Sequence, residues 1–399
     1  MCTFRWDATV RGRIKVDRSD RRSGAPAATR RRHVHGKGTT MNGITRRNFT
    51  LSSLAAATAA GFVPTALAQT QSPPPLPRRQ TGELIVNTYG GAWERHWRND
   101  LVPAFTRQTG IKPVIDIGVG KIFAANLRAA GIDNTPYSCT LMNENIAALL
   151  RDEGMFDAIP VDKVPNLADV YPNLRAPNDL GVIGLVSPIG IGYRTDLVKT
   201  KPRSWRDLWD NPEFKGKIGL YQIGAAGAHL FLLLAAKLYG GSQDNWEVAL
   251  REIQKLQPFP QVDFSGALSQ LLLRGDIVIA PIDASEIVGL KKRGVPVDIV
   301  MPPDGLLAFE VGWYMIKNAP AREEAYKFLN YILDPGTQQN FARAFSGVSP
   351  ANSKAVIPSD VRADMAIAGD DTTRIIKWDW SRANKQLPEI TEAWNRTIK

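Results

Sequence analysis

Residues able to do chemistry gather where short apolar runs end. After Leu84–Thr88 come Tyr89, Gly90, Gly91 and Trp93. Glycines let backbone approach a bound molecule, and aromatic rings cover its apolar parts or a cation. A tight turn over a core tryptophan reads the same residues equally well. Gly118-Val119-Gly120-Lys121 follows the run Val114–Ile117, and Asn143 and Glu144 follow Ser138–Met142. Gly224-Ala225-Ala226-Gly227 opens an apolar helix. Its free N–H groups would suit an anionic oxygen, and close helix packing is the other reading of those glycines. Ser265 and Gly266 stand after Phe264 in the same way, and Asp283, Ser285 and Glu286 follow a run ending at Ile282.

Catalytic and metal-binding patterns do not emerge. There is no Gly-x-Ser-x-Gly elbow, His-Glu-x-x-His, P-loop or Gly-x-Gly-x-x-Gly after a strand. Beyond residue 68 the histidines are His96, in a helical pattern with Trp93 and Trp97, and His229, in an apolar helix. Both read as structural. We therefore expect a non-catalytic chain without cofactor or metal, an exported enzyme being the rival reading.

The elements that would position these residues alternate. Strands are expected at Leu84–Thr88, Val114–Ile117 and Ser138–Met142, with helices at Trp93–Gln108, Ile122–Ala130 and Glu144–Glu153. Such alternation indicates an α/β fold with mostly parallel sheets. From Val182 to Tyr193 the chain is apolar with no intervening helix. Ser204-Trp205-Arg206-Asp207 reads as a capping box opening a short helix. Gly227–Leu238 is apolar all round and should be a buried helix, and Trp246–Leu256 is amphipathic. Lys217–Tyr221, Gln261–Phe264, Asp276–Ile282, Val297–Met301 and Val311–Ile316 are further strands. Arg322–Leu333 is a helix stopped by Pro335.

The N-terminal region carries an export signal. Arg46 and Arg47 precede the alanine-rich apolar stretch Leu51–Leu67, and Ala66-Leu67-Ala68 is a small-residue cleavage site before Gln69. Residues 41–68 read as a twin-arginine signal peptide, 1–40 as a disordered or mis-assigned extension with Met41 as the start, and 69–81 as a linker. Nearly all of the net charge of +11 belongs to this part. Of the 50 Lys and Arg and 39 Asp and Glu, 13 and 3 fall in residues 1–68, leaving a near-neutral 37 and 36 beyond. A nucleic-acid partner is therefore not expected. Cys139 is the one cysteine beyond the signal, so no internal disulfide is expected. Some 330 residues exceed what one core usually supports, and two lobes are expected.

Several segments resemble bacterial extracellular solute-binding proteins, in the subgroup labelled spermidine/putrescine-binding. They are Tyr89-Gly90-Gly91-Ala92-Trp93, Phe105 to Ile111, Tyr171-Pro172-Asn173-Leu174, Ile191 to Leu197, Pro202 to Trp209, and Trp378 through Trp394. The resemblance implies a two-lobed type II periplasmic binding fold with crossing strands and a ligand in the cleft. It also implies a periplasmic, monomeric subunit that delivers its solute to an ABC permease in the inner membrane. Lobe one would comprise 82–187 and 306–332, and lobe two 188–305 and 333–399. Ser187 and Tyr193 then flank the first crossing, and Phe309, Glu310 and Trp313 lie on the return. The acidic set Glu144, Asp283, Glu286 and Glu310 suits a cationic, polyamine-like or other amine-containing ligand, although each alone reads as readily as a solvated or paired carboxylate. The chain departs from the subgroup's Phe-Trp-Met-Asp-Ser pattern on the return, with Val311 where aspartate is expected and Phe309 replacing tryptophan. With Lys121 and the two helix starts, that favours an anionic or zwitterionic ligand (amino acid, opine or phosphonate) as the alternative.

Overall fold

The computed structural model describes residues 82–258 and 260–399. The expected extension 1–40, signal 41–68 with Arg46, Arg47 and the Ala68/Gln69 junction, and linker 69–81 lie outside the described residues. The chain begins with β1 (Ile85–Tyr89), α1 (Ala92–His96), a π-helical turn (Trp97–Leu101), α2 (Val102–Thr109) and β2 (Val114–Gly118). α3 (Gly120–Ala130), β3 (Cys139–Asn143), α4 (Glu144–Asp152), β4 (Phe156–Asp157) and the long β5 (Val182–Arg194) follow. Next come α5 (Asp207–Asp210), β6 (Leu220–Tyr221), α6 (Ala226–Gly240), α7 (Trp246–Lys255), β7 (Gln261–Val262), α8 (Ser265–Arg274), β8 (Ile279–Asp283), α9 (Ala284–Lys292) and β9 (Val297–Val300). The return is β10 (Leu307–Ile316), then α10 (Arg322–Ile332), α11 (Pro335–Ala344), β11 (Ser349–Pro350), α12 (Ser359–Arg362) and α13 (Trp380–Thr397).

Two large hydrophobic cores form, with a small satellite of Ala342, Val361 and Met365. The first gathers Trp97, Phe105, Phe123, Leu141, Trp313 and Phe328. The second gathers Trp205, Phe214, Phe231, Ile253, Leu272 and Trp394. α6 is buried from Gly227 through Ala236 because its sequence is apolar on every face. β5 joins the two cores. Val182, Ile183, Leu185 and Val186 lie in the first core, and Ile189, Ile191 and Tyr193 in the second. Its first half pairs with β10, and its second half with β8 and β9. β10 runs back beside it, and its register with β5 shifts between Val311 and Gly312.

Two expectations need correction. The sheets are mixed rather than mostly parallel. β1–β2 and β6–β7 are parallel, but every ladder of β5 and β10 is antiparallel. Strand–helix alternation dictates parallel pairing within a lobe, whereas a strand crossing between lobes enters each sheet against its neighbours. Residues 333–375 were expected with the second lobe, yet Leu333, Phe341, Phe345, Val348, Ile367 and Ile375 pack into the first core. Pro335 does stop α10, but it also occupies the first position of α11, where its missing N–H is no loss. The Asp334 carboxylate caps that helix, accepting from the N–H groups of Gly336 and Thr337 at 2.9 and 3.0 Å.

Candidate functional site: a cleft at the crossing strands

A cavity of about 830 Å³ opens where β5 and β10 pass between the cores. That size lies within the usual range for a small-molecule site. Leu185 and Ser187 of β5 and Phe309 and Val311 of β10 contribute to its lining. Elements of the first core supply Tyr89 to Trp93, Asn143, Phe345 and Val348. Elements of the second supply Tyr221, Ala225 to Gly227, Asp263 to Gly266, Asp283, Ser285 and Glu286. Apart from the crossing strands and from Phe345 and Val348, which follow α11, these residues end or follow β1, β3, β6, β7 and β8 or open the helices after them, where open α/β sheets bind ligands.

Asp283 is the most constrained carboxylate. It is 9 % exposed. Ser187 Oγ donates to both its oxygens at 2.9 and 3.0 Å, and Ser285 donates to Oδ1 through N–H at 2.9 Å and Oγ at 2.7 Å. Burial pushes its pKa up, and these hydrogen bonds oppose the shift. Glu286, in the first turn of α9, is also raised by burial, with the Ser269 hydroxyl opposing. Asp263 is exposed at the rim. No lysine or arginine is among the described lining residues.

Aromatic rings line both sides. Trp93 stacks on Phe345 with centroids 4.5 Å apart and meets Tyr89 edge-on at 5.5 Å. Tyr221 meets Phe309 edge-on at 6.2 Å, and its hydroxyl lies 2.8 Å from Ser265 Oγ. Phe264 leaves 64 % of its surface open. Gly91 has φ 71° and ψ −122°, a backbone state that disfavours side chains. At Gly227 a Cβ would fall 2.4 Å from the Tyr221 ring, so close packing fixes this glycine.

The cavity brings together Tyr89, Gly91, Trp93, Asn143, Ser187, Ser265, Asp283, Ser285 and Phe309. The other sequence candidates lie elsewhere. Lys121 is exposed at the start of α3, and Gly224 precedes the lining segment Ala225–Gly227. Glu144 is turned to Arg151 at 2.6 Å and to the Tyr314 hydroxyl at 2.7 Å. Glu310 is buried in an ion pair with Lys377. Trp313 is a first-core residue, 1 % exposed, two residues beyond the lining Val311 on β10, where its ring packs near Phe341 with centroids 6.2 Å apart. Tyr193 is likewise in the second core. Tyr221, Asp263, Phe264, Phe345 and Val348 were missed. Phe264 carried a legible signal as an aromatic directly before a helix start. Phe345 and Val348 carried none, since long-range chain return alone brings them to the cleft.

The family model described as bacterial extracellular solute-binding protein matches residues 100–369. The chain belongs to this family. Among relatives of this solute-binding protein is the spermidine/putrescine-binding periplasmic protein of Escherichia coli, 24 % identical over 319 residues, covering 77 % of this chain and 90 % of that one. The gamma-aminobutyric acid-binding protein of Pseudomonas aeruginosa is 26 % identical over 334 residues, covering 79 % and 91 %. A putative extracellular solute-binding protein from Bordetella parapertussis has a similar fold, with TM-score 0.71 and 20 % identity over 80 % of this chain and 99 % of that one. The two-lobed type II fold agrees with the sequence expectation.

Proposed function

We propose that this solute-binding protein is the periplasmic capture subunit of an ABC uptake transporter and that its cleft takes a small amine-bearing solute. One observation carries the choice of ligand: Asp263, Asp283 and Glu286 meet aromatic walls in a cavity with no described cationic side chain. An ammonium gains both from the carboxylates and from ring faces. The names of the polyamine- and gamma-aminobutyric acid-binding relatives support the same class. In this reading the protein turns nothing over and hands the solute to a permease. The Arg46-Arg47 signal is the proposed route of export.

A second reading is favoured by α6 and α8, whose first residues line the cavity with no side-chain cap. Their N–H groups could hold an anionic oxygen. Thermal-shift screening of residues 69–399 separates the two. Amines should stabilise, by about 2.7 kcal/mol at 100 times the dissociation constant. Asp283→Asn should weaken amine binding by about 10- to 100-fold, as expected for losing a charged hydrogen-bond partner worth about 1.5–3 kcal/mol. Stabilisation by anions alone would overturn the amine reading.

A further inference from the structure

The charge in the cleft is one-sided. Asp263, Asp283 and Glu286 all come from elements of the second core. The first-core side offers Tyr89, Gly90 to Trp93, Asn143, Phe345 and Val348, none of them charged. The carboxylates adjacent in sequence to cleft residues of that side and of the crossing strand are turned to partners, Glu94 to Arg98, Glu144 to Arg151 and Tyr314, and Glu310 to Lys377. At Asn143 the Tyr89 hydroxyl donates to Oδ1 at 3.2 Å. That bond takes one of the two lone pairs of the amide oxygen, and the N–H₂ group is a donor that a ligand oxygen can use.

We infer that the cleft selects a solute with a single ammonium at one end and an oxygen acceptor at the other, and discriminates against α,ω-diamines, with Asn143 as the specificity-determining residue on the first-core side. This rests on the amine reading above. A second ammonium would leave water for a side that offers ring faces and neutral oxygens but no carboxylate, so its charge would go uncompensated there. An unpaired charge moved from water into such surroundings is strongly disfavoured. An alcohol, carbonyl or carboxylate oxygen accepts from Asn143 and needs no counter-charge there.

Calorimetric titration of residues 69–399 with 4-amino-1-butanol, 4-aminobutanoate and 1,4-diaminobutane tests the inference at constant chain length. The oxygen-bearing amines should bind at least tenfold more tightly than the diamine. Asn143→Asp, which keeps the acceptor for Tyr89, should raise diamine affinity at least tenfold and reverse the ranking. A wild-type protein that holds the diamine as tightly as the amino alcohol overturns the inference while leaving the amine reading intact. So does an Asn143→Asp protein with the original ranking. If no member of the series binds, the amine reading itself fails. The wild-type ranking stands as a test even if the variant does not fold.

Discussion

At Asp283, three hydroxyl and amide donors fix the carboxylate in place before any ligand arrives, so little ordering is left for binding to supply. Burial raises both Asp283 and Glu286. A raised carboxylate holds its proton to higher pH than a solvated one and, once ionised, weakens the empty protein. Its stabilising share is present below the ordinary carboxylate pKa and is lost as pH rises through the raised value. An ammonium binds the ionised form. Amine affinity should therefore be steady on the alkaline side and weaken on acidification from above the ordinary carboxylate range of about 4. Titrations from pH 7 down to pH 4 would show it, and a constant affinity across that range would contradict it. The same chemistry explains what was legible. Asp283 ends a strand of apolar residues and Ser285 opens the helix after it, so position and type both signal a site. Glu310 has the same type but sits on a crossing strand beside Lys377, a partner 67 residues away that no local pattern announces.

Elements were read best where one physical constraint dominates. Uniform apolarity gave α6, and Gly110, with φ 74°, ends the α1–α2 helical segment in a left-handed C-cap. The box expected at Ser204 forms only in part and in the turn before α5: Ser204 Oγ accepts from Arg206 N–H at 3.1 Å and Asp207 from Ser204 N–H at 3.1 Å, while the helix itself begins at Asp207 with no side-chain cap. Of α8 only the start at Ser265-Gly266 was legible, and α9 and α11 went unread, because their sequences mix apolar and small polar residues, and Pro335 reads as a stop when it is also a start. Gly227 joins element to site, since its missing side chain lets α6 approach Tyr221. Gly227→Ala should cost about 1–3 kcal/mol through overpacking and displace Tyr221 from the cleft. Chemical denaturation would register the loss, and amine affinity should fall with it. An unchanged midpoint would show that the Tyr221 ring yields freely.

Across the whole molecule, the crossing strands leave the two cores joined by a narrow belt, with the cleft on it. Other ties cross between the cores as well. α13 packs its Trp394 into the second core, yet Asn384 Nδ2 donates to the Asn145 carbonyl and Ser381 Oγ to Asp152, both on α4. Such an architecture suits closure about the belt, with a ligand bridging carboxylates on one side and Asn143 on the other, so that binding shifts the population toward the closed form. X-ray scattering of residues 69–399, alone and saturated with the amine giving the largest thermal shift, tests that account most directly. A smaller radius of gyration at saturation is the predicted result. Full occupancy with no compaction would contradict it.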